Sequence, residues 1–106
     1  MKKIVPSTIP YVDDIIKRLK NRKYAIAYLN AAIEDGDEKT FLLALHDVAK
    51  AQGGIAKLSR RSNIHRVSLQ HILSQNGNPK IHNLWEILDT MNFKVKIYDK
   101  PLRRAA

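Results

Sequence analysis

The sequence predicts an all-α bundle of short amphipathic helices with one short β-strand near its C-terminus, on three observations. Apolar residues recur at helical spacing in several separate stretches. Capping side chains and glycines stand at the ends of those stretches, and six residues near the C-terminus alternate apolar with polar. The length of 106 residues fits a single core.

Pro6 and Pro10 bracket an irregular start, because each proline pushes the residue before it out of the α region. Asp13 and Asp14 then offer a cap and negative charge to a short helix ending near Lys20. Capping outweighs acid–base chemistry for this pair, since no other catalytic group lies nearby in sequence. Asn21 is an N-cap for a second helix, in which Tyr24, Ala27, Tyr28 and Ala31 fall on one face. Ile26, Leu29 and Ile33 widen that face, and Gly36 supplies a stop. Core packing suits the tyrosines better than stacking on bases. Asp37 caps a third helix with a stripe of Phe41, Leu42, Leu45, Val48 and Ala49, ended by Gly53-Gly54. Two short helical patterns follow up to Ser74. The run Gln75-Asn76-Gly77-Asn78-Pro79 is dense in turn formers. A last helix carries Leu84, Ile87, Leu88 and Met91, with His82 or Asn83 as its cap. Phe93-Lys94-Val95-Lys96-Ile97-Tyr98 then has strand periodicity. Its backbone must pair with the N-terminal segment, a second copy of the chain or another protein.

Charge is unevenly spread. Nineteen Lys and Arg against ten Asp and Glu give a net +9 and a pI near 10.0. Residues 1–53 carry nine basic and seven acidic side chains, a net of +2, whereas residues 54–106 carry ten and three, a net of +7. The acids of the first half cluster at Glu34-Asp35-Gly36-Asp37-Glu38. A concentrated basic half favours an anionic partner, and charge by itself does not choose among DNA, RNA and membrane. The absence of cysteine removes disulfide, thiolate and Cys-ligated zinc chemistry. No apolar run approaches the roughly 18 residues of a membrane span. Met1-Lys2-Lys3-Ile4-Val5-Pro6 has a basic start without an apolar h-region, so no signal peptide is expected and the expected location is the cytoplasm. His46, His65, His71 and His82 lack metal-ligand spacing, and no HExxH, P-loop or GxSxG pattern is present. Neither enzyme activity nor a metal or cofactor is expected.

The segment from Ile55 to Leu73 carries the functional signal. Leu58 and Ile64 bracket a tight connection, and Leu69, Ile72 and Leu73 form the inner face of a second short helix. Asn63 stands where a helix–turn–helix needs positive φ, a place asparagine fills better than any residue except glycine. The outward residues Arg66, Val67, Gln70 and His71 supply guanidinium, methyl, amide and imidazole groups, which suit base edges in a major groove.

With these residues in view, the chain resembles the HigA-type antitoxins of toxin–antitoxin (addiction) modules, a branch of the Xre/lambda-repressor-like helix–turn–helix proteins. The resemblance spans roughly residues 21–98. It rests on the Ala27-Tyr28-Leu29 block, the Ala44-Leu45 to Ala49-Lys50-Ala51 helix, and the helix–turn–helix itself. It rests further on Leu73-Ser74 followed by Gly77-Asn78-Pro79, Leu84 and the closing Leu88 to Met91 helix. The chain departs from the family in three places. Ser59 replaces a small apolar alanine, Asn63 a glycine, and His65 the serine or threonine that normally caps the second helix. The chain is also strongly basic where many antitoxins carry an acidic arm.

The resemblance implies a lambda-repressor-like domain over residues 21–92, with the helix–turn–helix at about 55–73. Residues 1–20 precede it, and residues 93–106 form a strand and basic tail. It implies an antitoxin that neutralises a RelE/HigB-like toxin and occupies its own promoter. Arg66, Val67, Gln70 and His71 would then read bases. Lys57, His65, Ser68 and Lys80 would hold the DNA backbone, with Arg60 and Arg61 as further cations. Reading a palindromic operator calls for a homodimer, built here by antiparallel pairing of two strands through Phe93, Val95 and Ile97. The alternatives are a stand-alone Xre-type regulator and a toxin-binding protein without DNA binding.

Overall fold

The computed structural model describes residues 14–74 and 76–101. The expectations placed on Pro6, Pro10, Asp13 and Gln75, and on the N-terminal segment as a partner for the strand, lie outside them. The described residues form six helices and no strand. Residues 14–18 are helical (α1), followed by α2 (Arg22–Asp35), α3 (Glu38–Ala51), α4 (Ile55–Ser62), α5 (Arg66–Ile72) and α6 (Ile81–Thr90).

Local chemistry explains most of the boundaries. The Asn21 side chain accepts the Tyr24 amide at 3.0 Å and starts α2. Gly36, left-handed at φ 80°, ends it. The Asp37 carboxylate starts α3 by accepting both the amide (3.1 Å) and the hydroxyl (2.8 Å) of Thr40. Gly53 and Gly54, both at positive φ, end α3, and the Gly54 amide reaches back to the Ala49 carbonyl. The start of α6 departs from expectation. It begins at Ile81 with Lys80 at the cap position and no side-chain cap bond, so His82 and Asn83 fall inside its first turn. The apolar spacing of α6 marks its inner face at Ile87 and Leu88, but not its first residue.

Leu19, Leu45, Leu69, Leu73, Ile87 and Val48 are the largest fully buried side chains, and residues of all six helices pack into or against this single cluster. Each such aliphatic side chain contributes about 1.5–3 kcal/mol by leaving water. On α3 the buried face includes the expected Leu42, Leu45, Val48 and Ala49, with Phe41 packed at its edge. On α2 the expected face is displaced. Ala25, Leu29 and Ala32 are buried, Tyr28 is half-buried, and Tyr24, Ile26, Ala27, Ala31 and Ile33 face solvent. Two apolar stripes interleave on this helix. The stripe of Ala25, Leu29 and Ala32 faces inward, and the one with the bulky Tyr24 ring stays outside. The rings of Tyr24 and Tyr28 stack on each other with centroids 6.4 Å apart, and the Tyr28 hydroxyl donates to Asp47 at 3.1 Å.

The C-terminal strand is not formed, which corrects the expected fold class to all-α without it. Residues 93–101 have no ladder. Asn92 adopts a left-handed conformation (φ 63°) after α6. The Asn92 amide donates to Asp89 and the Phe93 amide to Leu88 (2.8 Å), closing the helix with a Schellman motif. That turn folds Phe93 onto the core, and only Val95 and Ile97 remain of the apolar alternation. Ile97 is 92% exposed, and the described residues offer no second strand beside it. Alternation describes which way side chains point; it supplies no hydrogen-bonding partner.

Arg22 ties the ends of three helices together. Its guanidinium donates to the carbonyls of Met91 (2.8 Å) and Asn92 (2.9 Å) and to Gln52 Oε1 (3.2 Å), and lies 4.2 Å over the Phe93 ring. Gln52 in turn donates to the Leu19 carbonyl at 2.8 Å.

Candidate nucleic-acid interface

Helices α4 and α5 are joined by Asn63-Ile64-His65, and the connection is held at each of its residues. Asn63 takes the expected left-handed conformation (φ 64°), and its amide donates to the Ser59 carbonyl. The Ser59 hydroxyl donates to the Ile64 carbonyl at 2.7 Å, which gives the departure from alanine a local role. Ser62, buried and polar, accepts the Ile64 amide at 3.2 Å. Ile64 itself packs against the core. His65 occupies the N-cap of α5 and accepts the Val67 amide on Nδ1 at 3.3 Å, a long bond that still satisfies one of the helix's free donors.

This turn fixes how α5 presents its faces. Leu69, Ile72 and the following Leu73 point into the core, as their spacing predicts. Arg66, Val67, Ser68, Gln70 and His71 are all exposed, and Val67 is 68% exposed despite being apolar. Arg66 and Gln70, like Val67 and His71, are four residues apart, so the four form one continuous outward surface. None of Arg66, His65 or His71 has an ion-pair partner among the described residues.

On α4 the N-cap is Gly54, which lacks a side chain to cap with, so the first amides of the helix have no side-chain acceptor. Lys57, exposed, stands one turn in. Its aliphatic stem lies across Gly53, where an added Cβ would come within 2.6 Å of the Lys57 Cδ. Arg61 is four residues further on the same face. Lys57 and Arg61, with Arg22, line a notch of about 370 Å³ between α4 and the C-terminal end of α6. In sequence Arg61 is legible only as one of two adjacent arginines; its helical register with Lys57 sets it apart from Arg60. Lys80, also exposed, stands apart at the cap position of α6, after the 76–79 turn. That turn leaves Gly77 against the end of α5, where a Cβ would collide with the Ile72 carbonyl oxygen. Only glycine fits there. Of the expected dimer residues, Phe93 packs on the core, whereas Val95 and Ile97 are exposed.

A family model described as "Probable addiction module antidote protein" matches residues 11–99. The chain belongs to this family. A protein of Haemophilus influenzae described as uncharacterized is 25% identical to this chain over 84 residues, covering 79% of this chain and 86% of its own length. No solved structure matches it. Membership in a family of addiction module antidotes implies, in general terms, a toxin as partner for this chain. No helix among its described residues is long and apolar enough to cross a membrane.

Proposed function

We propose that this antidote is a HigA-type, Xre-like DNA-binding antitoxin that neutralises a RelE/HigB-like ribonuclease and represses its own operon without catalysing a reaction. The observation that carries the DNA half of this reading is the exposed surface of Arg66, Val67, Gln70 and His71, held outward by the locked turn before α5. Arg66 suits guanine O6 and N7, Gln70 suits adenine N6 and N7, and Val67 suits a thymine methyl. Lys57 and the uncapped start of α4 suit a phosphate, as do Lys80 and the α5 start at His65 and Ser68. Arg61 joins Lys57 in that role. A homodimer reads two half-sites about one helical turn apart, because one short helix reaches only a few base pairs.

The test is fluorescence anisotropy of the full chain on a duplex from its own promoter and on a scrambled duplex of equal length. Specific repression predicts roughly 10³-fold or greater preference for the promoter at physiological salt. Equal affinity for both duplexes refutes it.

A further inference from the structure

A second surface lies outside α4 and α5. A groove of about 460 Å³ runs between the C-terminal end of α2, the N-terminal end of α3 and the segment leading into α6. Its walls are mainly apolar, with Ile33, Phe41, Leu42, Pro79 and Leu84 among the lining residues, and Ile33 is 54% exposed. Of the acidic cluster at residues 34–38, Asp37 and Glu38 line the groove, and Glu34 and Asp35 stand in sequence between its lining residues Ile33 and Gly36. Asp37 is committed to capping α3. Glu34, Asp35 and Glu38 are exposed, and none has an ion-pair partner among the described residues. In a chain of net charge +9, four of the ten acids thus stand within five positions beside the groove.

We propose that this groove receives the toxin, through a segment of it that carries an apolar side chain flanked by lysine or arginine. The proposal rests on the antitoxin reading above and names the surface that serves it. Three considerations select this occupant. Carboxylates repel DNA phosphates, so this face is unsuited to the operator. A protein that acts on RNA must itself present a basic surface, which is the complement of these carboxylates. No residue of α4 or α5 lines the groove, so filling it leaves the outward face of α5 free, and of the residues assigned to the DNA backbone only Lys80, next to Pro79, adjoins it in sequence. Four of the chain's ten acids are thus gathered at one helix–helix turn.

The experiment uses the full chain and the purified small protein encoded beside it, with affinities measured by titration calorimetry at two salt concentrations. Glu34→Lys with Asp35→Lys places cations at the C-terminal end of α2, where the helix dipole favours them, so the fold tolerates the reversal. This pair should weaken toxin binding by roughly tenfold or more and flatten its salt dependence. Ile33→Ser should weaken toxin binding by roughly tenfold while leaving the salt dependence as in wild type. Both variants should bind promoter DNA no more weakly than wild type and keep its circular dichroism. Wild-type toxin affinity in both variants overturns the groove assignment and leaves the antitoxin reading standing. A wild-type chain that fails to bind the neighbouring protein overturns the antitoxin reading, and the groove assignment with it. A change in the oligomeric state of either variant alone, seen by light scattering, assigns the groove to self-association instead and overturns the proposal.

Discussion

The α4–α5 surface and the α2–α3 turn are built from the same means, a capped helix on each side of a tight connection, yet they present opposite chemistry. At the first, Asn63 makes the turn, two serines lock it, and the exposed groups are cationic or neutral hydrogen-bonding side chains. At the second, Gly36 makes the turn, Asp37 caps the next helix, and the exposed groups are carboxylates around an apolar groove. Both hang on one buried cluster. On the proposed reading, a domain of this size keeps two charged partners apart without a second domain, by giving each its own helix–helix turn.

The change expected to act most strongly removes what the two regions share. Leu69 is fully buried beneath the outward face of α5. Leu69→Ala should cost about 2–5 kcal/mol of stability, measured by urea unfolding. It should weaken DNA and toxin binding together, since both surfaces depend on the same core. A loss confined to DNA binding would mean that the two regions are energetically independent.

Next in size come the side chains proposed to read bases. Arg66→Ala, Gln70→Ala and His71→Ala should each cost about 1–3 kcal/mol on promoter DNA. Gln70→Ala should leave binding to a scrambled duplex unchanged, because it removes no charge. Equal losses on both duplexes would mean that the wrong face of α5 has been assigned to bases. Lys57→Ala and Lys80→Ala are smaller and different in kind. Each should weaken binding to every sequence and lower the slope of log K against log salt by about one. Titrations at several salt concentrations check this, and unchanged slopes would remove both lysines from the interface.

Much of this contrast is legible in the sequence where the cause is local. Asn21, Gly36, Asp37 and Asn63 act within four residues of themselves, and each does in the structure what its chemistry dictates. The inner residues of α5 follow from apolar spacing alone. What escapes the sequence depends on distant partners. Arg22 finds its acceptors 69 and 70 residues away, so nothing near it in sequence marks it as the tie between three helix ends. The orientation of α2 depends on what packs against it, because its two apolar stripes have equal claim by periodicity. The strand at residues 93–98 fails for a related reason. Its alternation is real, but Asn92 turns Phe93 into the core and the described residues supply no ladder. The acidic cluster is plain in sequence, but the groove beside it is assembled by Pro79 and Leu84, more than forty residues further on.

The smallest expected effect is a pH dependence at the acidic turn. Hydrogen bonds from the Thr40 hydroxyl and amide, aided by nearby Lys39, hold the Asp37 carboxyl below its ordinary value of 3.8. A lowered value means that its contribution is complete above 3.8 and is lost as pH falls through the lower folded value. Thermal melts from neutral pH down through the acid range should therefore decline more gently on the acid side for Asp37→Asn than for wild type. Parallel curves would show that this cap contributes nothing to acid stability.

The central claim, that one turn serves the operator and another the toxin, is tested most directly by the double variant Arg66→Ala with Gln70→Ala. Promoter binding and rescue of growth from the co-expressed neighbouring toxin are measured on the same folded protein. Separate surfaces predict promoter affinity reduced by roughly 10²-fold or more, since two base-reading side chains are removed at once, with rescue equal to wild type. Loss of rescue, with circular dichroism and unfolding midpoint unchanged, would contradict it.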